Sequence, residues 1–326
     1  MGRVLRYLPY PGCLLEATAQ TFQGRKLLRP DPESRDLVLG VLGTALEKVE
    51  GVNLVAYQYM STHPHLLMAP KSIEAVSRFM CFVQGNISKE VGKLRDWEGT
   101  FWHARYDSTP VFDEEMAVAR LRYLLENSVK ENLVESIEDW PGANCVRTLL
   151  TGKPEVGTWY DRTEEDRARR RKGGKELDAA TFGTKVEVPL VPLPFWSHLS
   201  QEDRAAKVEE LLESIREEHD TRRFVSGITV LGKDKVQKVD PVERPKEHKR
   251  GKHVFCHTSN PTWRELYLAF LFDLQENYED ASKLFRSRVY DVVFPEGTFR
   301  PQGPFSQWTA QSPSNHQQWI ESLSPG

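Results

Sequence analysis

Apolar and polar positions along the chain follow two periods. "LLEATAQTF" (14–22) and "GVNLVAYQYM" (51–60) are short runs rich in β-branched, aromatic and aliphatic residues, which predicts two strands. "HLLMAP" predicts a partner strand that ends at Pro70. Residues 32–49 set Leu37, Leu39, Val41, Leu42, Leu46 and Val49 on one broad apolar face, the period of a helix. A second helix is predicted over 71–93. Asp113 is an N-cap for a third, running to about residue 132, with Glu114 and Glu115 at its positive end. "GTFWHARYDSTPVF" (99–112) reads as extended or looped. The order β-α-β-β-α-loop-α over 150 residues predicts an α+β fold with an antiparallel sheet flanked by helices; a doubly wound sheet would alternate more regularly.

Beyond residue 150 the pattern changes. "DRTEEDRARRRKGGKELDAA" (161–180) is charged and nearly devoid of apolar residues, which reads as a linker or solvated loop. Residues 203–220 predict an amphipathic helix. Residues 262–287 predict a long one, with Leu266, Phe270, Leu274 and Tyr278 at four-residue steps. The proline-containing basic stretch 238–253 is expected to be irregular. The expected division is a first domain over 1–150, a charged linker and irregular segment over 151–202, and a mostly helical C-terminal extension over 203–326 without an assigned role.

Composition narrows the function classes. With 326 residues, 39% hydrophobic and 28% charged, the chain can bury a core. A net charge of -3 excludes a globally basic nucleic-acid binder, so any such surface must be local. The four cysteines, Cys13, Cys81, Cys145 and Cys256, have no CxxC spacing and predict reduced thiols in a cytoplasm. The first residues lack the apolar stretch of a signal peptide, and no run approaches the ~18 apolar residues of a membrane span. The expectation is therefore a cytoplasmic protein with no membrane partner.

Two constellations carry chemistry. In "STHPHLLM", His63 and His65 are two residues apart, and strand spacing would point both to one face, shared with Tyr57 and Tyr59. They are either a half-built divalent-metal site or solvent-facing residues at a turn. In "LRYLLENSVKENLV", Tyr123 and Asn127 are neighbours one helical turn apart. Asn127 offers an oxygen to a hard cation and Tyr123 a phenolic nucleophile, although a tyrosine here also fits plain packing.

Taken in order, "VAYQYMSTHPHLLM" (55–68), "FWHARY" (101–106), "YLLENSVKENLV" (123–134) and "EDWPGANCVRTL" (138–149) resemble the single-tyrosine HUH transposases, in particular the REP-associated tyrosine transposase branch. The likeness covers about residues 5–150. Pro64 stands where the family has a bulky apolar residue, Thr62 where it has asparagine, and Ser128 where it has proline. The resemblance implies a ferredoxin-like HUH sheet and a metal-dependent nickase and transposase that cleaves and rejoins single-stranded or hairpin DNA through a 5′-phosphotyrosine. It implies Tyr123 as nucleophile and His63, His65 and Asn127 as ligands of Mg or Mn. It also leaves room for a homodimer. DNA contacts are expected from Arg25, Lys26, Arg105, Arg122 and Lys130, with Trp97, Trp102 and Tyr106 as stacking surfaces; core packing is the other reading of the tryptophans. The basic runs 167–175 and 246–253 fit either phosphate contact or a solvated face. Two other functions fit the same residues. One is a family member that binds hairpin DNA without cutting it. The other is a metal-dependent hydrolase unrelated to DNA, with Asp107 or Asp113 completing the histidine pair.

Overall fold

The computed structural model describes residues 5–171, 173, 177–245 and 254–299. Strands β1 (Leu14–Thr18), β2 (Val52–Tyr59), β3 (Pro64–Pro70) and β4 (Asp107–Val111) form one antiparallel sheet in the order β2–β3–β1–β4. Helix α1 (Pro32–Lys48) connects β1 to β2, and α2 (Ile73–Leu94) connects β3 to β4. Each crossover leaves room for one strand between its ends, which is the ferredoxin-like split β-α-β arrangement. The α+β class and the antiparallel sheet are as expected from the sequence.

Local chemistry sets the ends of these elements. Asp31 accepts from the Ser34 N–H at 2.9 Å, and Pro32 opens α1 where no N–H is needed. Ser72 caps α2 through the Ala75 N–H at 3.1 Å. Asp113 caps α3 (Glu114–Lys130) through the Met116 N–H at 2.8 Å, so the predicted cap is the observed one. The first strand stops at Thr18, shorter than predicted. Beyond it Thr21 turns away and bonds the Thr62 carbonyl at 2.8 Å, and Gln23 takes a left-handed backbone, φ 56°. Within the sheet β4 pairs only with β1, an edge position where Pro110 is tolerated.

Register decides which side chains meet. Residues of β2 and β3 oppose each other as Tyr59↔Pro64, Gln58↔His65 and Tyr57↔Leu66, with an irregularity between Leu54 and Ala56. Odd positions of β2 therefore face even positions of β3. His65 shares its face with Gln58, Glu16 and Thr18; Tyr57 and Tyr59 lie on the opposite, core face with Leu66 and Met68. The face predicted from residue parity is thus corrected: the turn at 60–63 swaps parity across the hairpin.

The stretch expected as a linker is partly built. α4 (Val146–Thr151) is followed by β5 (Glu155–Tyr160), α5 (Arg162–Arg171) and β6 (Gly183–Val188), and β5 and β6 pair as an antiparallel hairpin. The hairpin lies directly on α1. A Cβ at Gly40 would sit 2.0 Å from the Thr158 carbonyl oxygen, and one at Gly43 would sit 2.6 Å from that of Glu187. Only glycine permits this backbone approach. α5 is a helix rather than a loop. It buries nothing and is laced by exposed pairs such as Asp166 with Arg169 and Arg170, at 2.6 and 2.7 Å.

Three helices follow: α6 (Gln201–Ser226), α7 (Lys233–Lys238) and α8 (Pro261–Arg286). α6 runs beside α3 in the same direction, with Arg122 against Ser214 and Glu218 and Arg222 against the Lys130 carbonyl. Arg223 donates to the Val129 and Val134 carbonyls at 3.1 Å, satisfying the end of α3. Among the described residues, no helix is long and apolar enough to cross a membrane.

Candidate active site

The β2–β3 hairpin places the two histidines. The Met60 N–H closes its turn on the His63 carbonyl at 2.9 Å. Pro64 opens β3 opposite Tyr59, whose N–H goes to the Ala143 carbonyl at 2.8 Å, so no ladder bond across that pair is asked of Pro64. The Pro64 carbonyl accepts from Thr18 Oγ1 at 2.9 Å. With the proline accommodated in this way, the rings of His63 and His65 lie 4.9 Å apart, edge to face.

Helix α3 supplies the third ring. Tyr123 is half-buried and stands 5.4 Å from His65, again edge to face. Arg120, Tyr123, Asn127 and Lys130 form one stripe at helical spacing. The Arg120 guanidinium lies 4.0 Å from the centre of the Tyr123 ring and Lys130 Nζ 4.7 Å from it. Asn127 follows one turn after the tyrosine. It is buried, and its Nδ2 has no hydrogen-bond partner; His65 Nε2 is also buried without one. Buried polar atoms are rarely left so; Nδ2 only donates, so any cation held by Asn127 would be held through Oδ1. Two imidazoles and an amide fit a divalent cation with open positions. Among the described residues, no cluster of three or more His, Cys, Asp or Glu side chains is placed to hold a metal. Asp113 is spent on capping α3 and on the Ser259 N–H, at 2.8 Å each, and Asp107 is exposed at the start of β4.

Glu16 of β1, not foreseen as a site residue, organises this side of the sheet. Its Oε1 accepts from His65 Nδ1 at 3.1 Å and Arg120 Nη2 at 2.8 Å; its Oε2 lies 2.7 Å from Arg120 Nε and 3.1 Å from His257 Nε2. Burial alone would raise its pKa. The bonds from His257, His65 and Arg120, with the Arg120 charge, outweigh burial and hold the carboxyl far below the usual range. An ionised carboxylate only accepts, so the proton on His65 is at Nδ1, and a neutral ring presents its Nε2 lone pair to the site. Burial, and then His65, push His63 down to about 3, so that ring is neutral near pH 7. A lone glutamate inside the apolar run "LLEAT" was a usable signal, since a buried charge demands partners. Arg120, three residues before Tyr123, was legible by spacing. His257 was not: nothing local ties it to the site.

The expected DNA contacts divide. Arg25 reaches Gln23 Oε1 at 3.0 Å and covers the Trp97 ring at 5.2 Å; Lys26 lies 3.9 Å from Glu243. Both stand on the loop bonded to the turn before His63, through Thr21 to Thr62 and the Leu28 N–H to the Ser61 carbonyl at 3.0 Å. Lys130 is at the site, paired with Glu126 at 3.0 Å, and Arg105 is exposed. Three of the expected contacts have partners within the chain. Tyr106 is only 5% exposed, with Arg6 over its ring, so it offers no open stacking face. Trp102 is anchored through Nε1 to the Gln84 carbonyl at 2.9 Å and packed edge-on against Phe101. Arg122 is taken up by α6. The basic run 246–253 lies outside the described residues, as does part of the run 167–175.

No family model matches the chain, and no curated relative matches it. Two solved structures are similar to part of it. One is a REP-associated tyrosine transposase bound to a REP hairpin: 16% identity, 47% of this chain and 87% of the other, TM-score 0.38. The other is a candidate transposase from Deinococcus radiodurans R1: 19% identity, 39% of this chain and 95% of the other, TM-score 0.27. Both likenesses are partial, and the functional reading rests on the side-chain geometry.

Proposed function

We propose that the chain is a single-tyrosine DNA nickase and transposase that cuts and rejoins single-stranded or hairpin DNA. The observation that carries this is the convergence of His63, His65 and Tyr123 from two separate elements, with His65 Nε2 buried and unpartnered and Asn127 one helical turn after the tyrosine. His63, His65 and Asn127 would hold the cation, Mg or Mn, with modest affinity for such a mixed nitrogen and oxygen set. When bound, it supplies charge that polarises and orients the scissile phosphate. The chain does the rest. Tyr123 Oη attacks phosphorus, losing its proton to solvent; the bond from phosphorus to the 3′ oxygen breaks, and that oxygen leaves as a hydroxyl after taking up a proton. The DNA is left joined to Tyr123 through its 5′ phosphate. One phosphodiester replaces another, so a 3′-hydroxyl of a second strand can reverse the step without ATP.

Arg120 and Lys130 both lie against the tyrosine ring and bring positive charge to where phosphate must lie. Arg25 and Lys26 would follow the backbone of an incoming strand, making binding salt-sensitive. The test is incubation of labelled single-stranded hairpin DNA with the protein and Mn²⁺, followed by denaturing electrophoresis. The expected result is a protein–DNA adduct that Tyr123→Phe abolishes. Hairpin binding with no adduct would show a binding protein instead, and neither binding nor adduct would set the DNA reading aside.

A further inference from the structure

His257 comes from the C-terminal part of the chain, yet its ring completes the shell around Glu16, and the backbone that carries it is fastened to the site's own elements. The His257 N–H donates to the Pro110 carbonyl at 2.8 Å, and its carbonyl accepts from the Phe112 N–H at 3.0 Å. This forms a parallel bridge beside Val111, along the edge of β4 that pairs with nothing else in the sheet. Thr109 Oγ1 reaches the Val254 carbonyl at 3.2 Å, and the Ser259 N–H reaches the Asp113 carboxylate that also caps α3. Asn260 then caps α8. Residues 254–259 are thus stitched to β4 and to the start of the helix that carries Tyr123.

Glu16 Oε1 accepts from His65 and from Arg120 Nη2, while Oε2 lies against Arg120 Nε as an ion pair and 3.1 Å from His257 Nε2. Through His65 the carboxylate sets the orientation of one candidate ligand; through Arg120 it sets the cation that covers the Tyr123 ring. Without His257, Oε2 would keep only Arg120, and the carboxylate would be free to rotate towards it and away from His65. Outer partners of ligating histidines act in this way at metal sites, fixing the tautomer and orientation of the ring.

We infer that His257 is a positioning residue: acting through Glu16, it holds His65 and the Arg120–Tyr123 pair in register, so that the C-terminal segment is part of the site. This rests on the ligand and nucleophile roles proposed above. The test uses the full chain with His257→Phe, His257→Gln and Glu16→Gln, each checked for native circular dichroism. His257→Gln keeps an N–H donor for Glu16; His257→Phe fills the space without one. Two quantities are read: the ¹⁵N shifts of His65 without metal, and Mn²⁺ affinity by calorimetry. The expected result is a wild-type His65 locked with its proton on Nδ1, a mixed tautomer in His257→Phe and Glu16→Gln, and Mn²⁺ binding weakened about 10- to 100-fold, with His257→Gln close to wild type. A folded His257→Phe protein with unchanged His65 shifts would overturn the inference. Unchanged Mn²⁺ affinity in that variant would equally overturn it. If the wild type bound no Mn²⁺, the His65 shifts alone would decide. If the shifts respond but no Tyr123 adduct ever forms, the proposed chemistry fails while the positioning of His65 stands.

Discussion

Tyr123 sits with a guanidinium on its ring at 4.0 Å and an ammonium at 4.7 Å, and the imidazole of His65 meets it edge-on. Each contact orients the ring, and the two cations differ in how they are tied. Arg120 is locked to Glu16, with Nη2 at 2.8 Å and Nε at 2.7 Å, whereas Lys130 pairs with Glu126, a half-buried neighbour on its own helix. Arg120 is therefore the group whose loss would most loosen the nucleophile. Arg120→Gln is expected to slow adduct formation about 10- to 100-fold in single turnover, since small misplacements of a reacting group cost that much. Hairpin binding, measured by fluorescence anisotropy, should change little, because Arg120 is committed to Glu16. An equal loss in binding and in rate would instead make Arg120 a phosphate contact.

At the scale of elements, the site hangs on two devices: the hairpin turn that brings His63 beside His65, and the capped helix that presents Tyr123. Both were legible. "STHPHLLM" gave the pair, Asp113 gave the cap, and the spacing from Tyr123 to Asn127 gave the helical face. What misled was parity across the hairpin, because its register follows from how the turn closes, and one residue of slip moves a side chain to the other face. The β5–β6 hairpin was hidden for another reason. Its strands are six residues long and owe their place to a backbone approach onto Gly40 and Gly43, which no apolar period records. The start of α1 carries a buried ion pair: Asp31 lies 2.7 Å from Arg95 Nη1 and accepts from the Ser34 N–H at 2.9 Å. Burial alone would raise the pKa of Asp31; the Ser34 N–H and the Arg95 bond and charge reverse this and lower it. Its stabilising effect is then complete above the unfolded value of about 3.9 and fades as pH falls through the lower folded value. Asp31→Asn, which keeps the cap but not the charge, should cost about 2 kcal/mol at pH 7. In thermal melts the gap to wild type should close below about pH 4; a constant gap would show that the charge contributes nothing.

Over the whole molecule, the proposed site in the first 150 residues is contacted by segments far along the chain. α6 lies against α3 and satisfies its last carbonyls through Arg222 and Arg223, and the stretch around His257 zips onto β4 and reaches Glu16. Neither contact leaves a local trace. The helical period of 203–220 was visible, but not the partner it packs on, and His257 stands in a stretch with no apolar rhythm. Within the charged run expected to be a linker or solvated loop, 162–171 is solvated yet helical, since exposed ion pairs at three- and four-residue spacing sustain a helix without any buried face. All these parts serve one claim, that Tyr123 bonds covalently to DNA. The most direct measurement is mass spectrometry of the adduct after nuclease trimming and proteolysis. The expected result is a nucleotide mass, linked through phosphate, on the peptide that contains Tyr123 and on that residue. An adduct mapped to any other side chain, or a protein that cleaves hairpin DNA without ever carrying that mass, would contradict it.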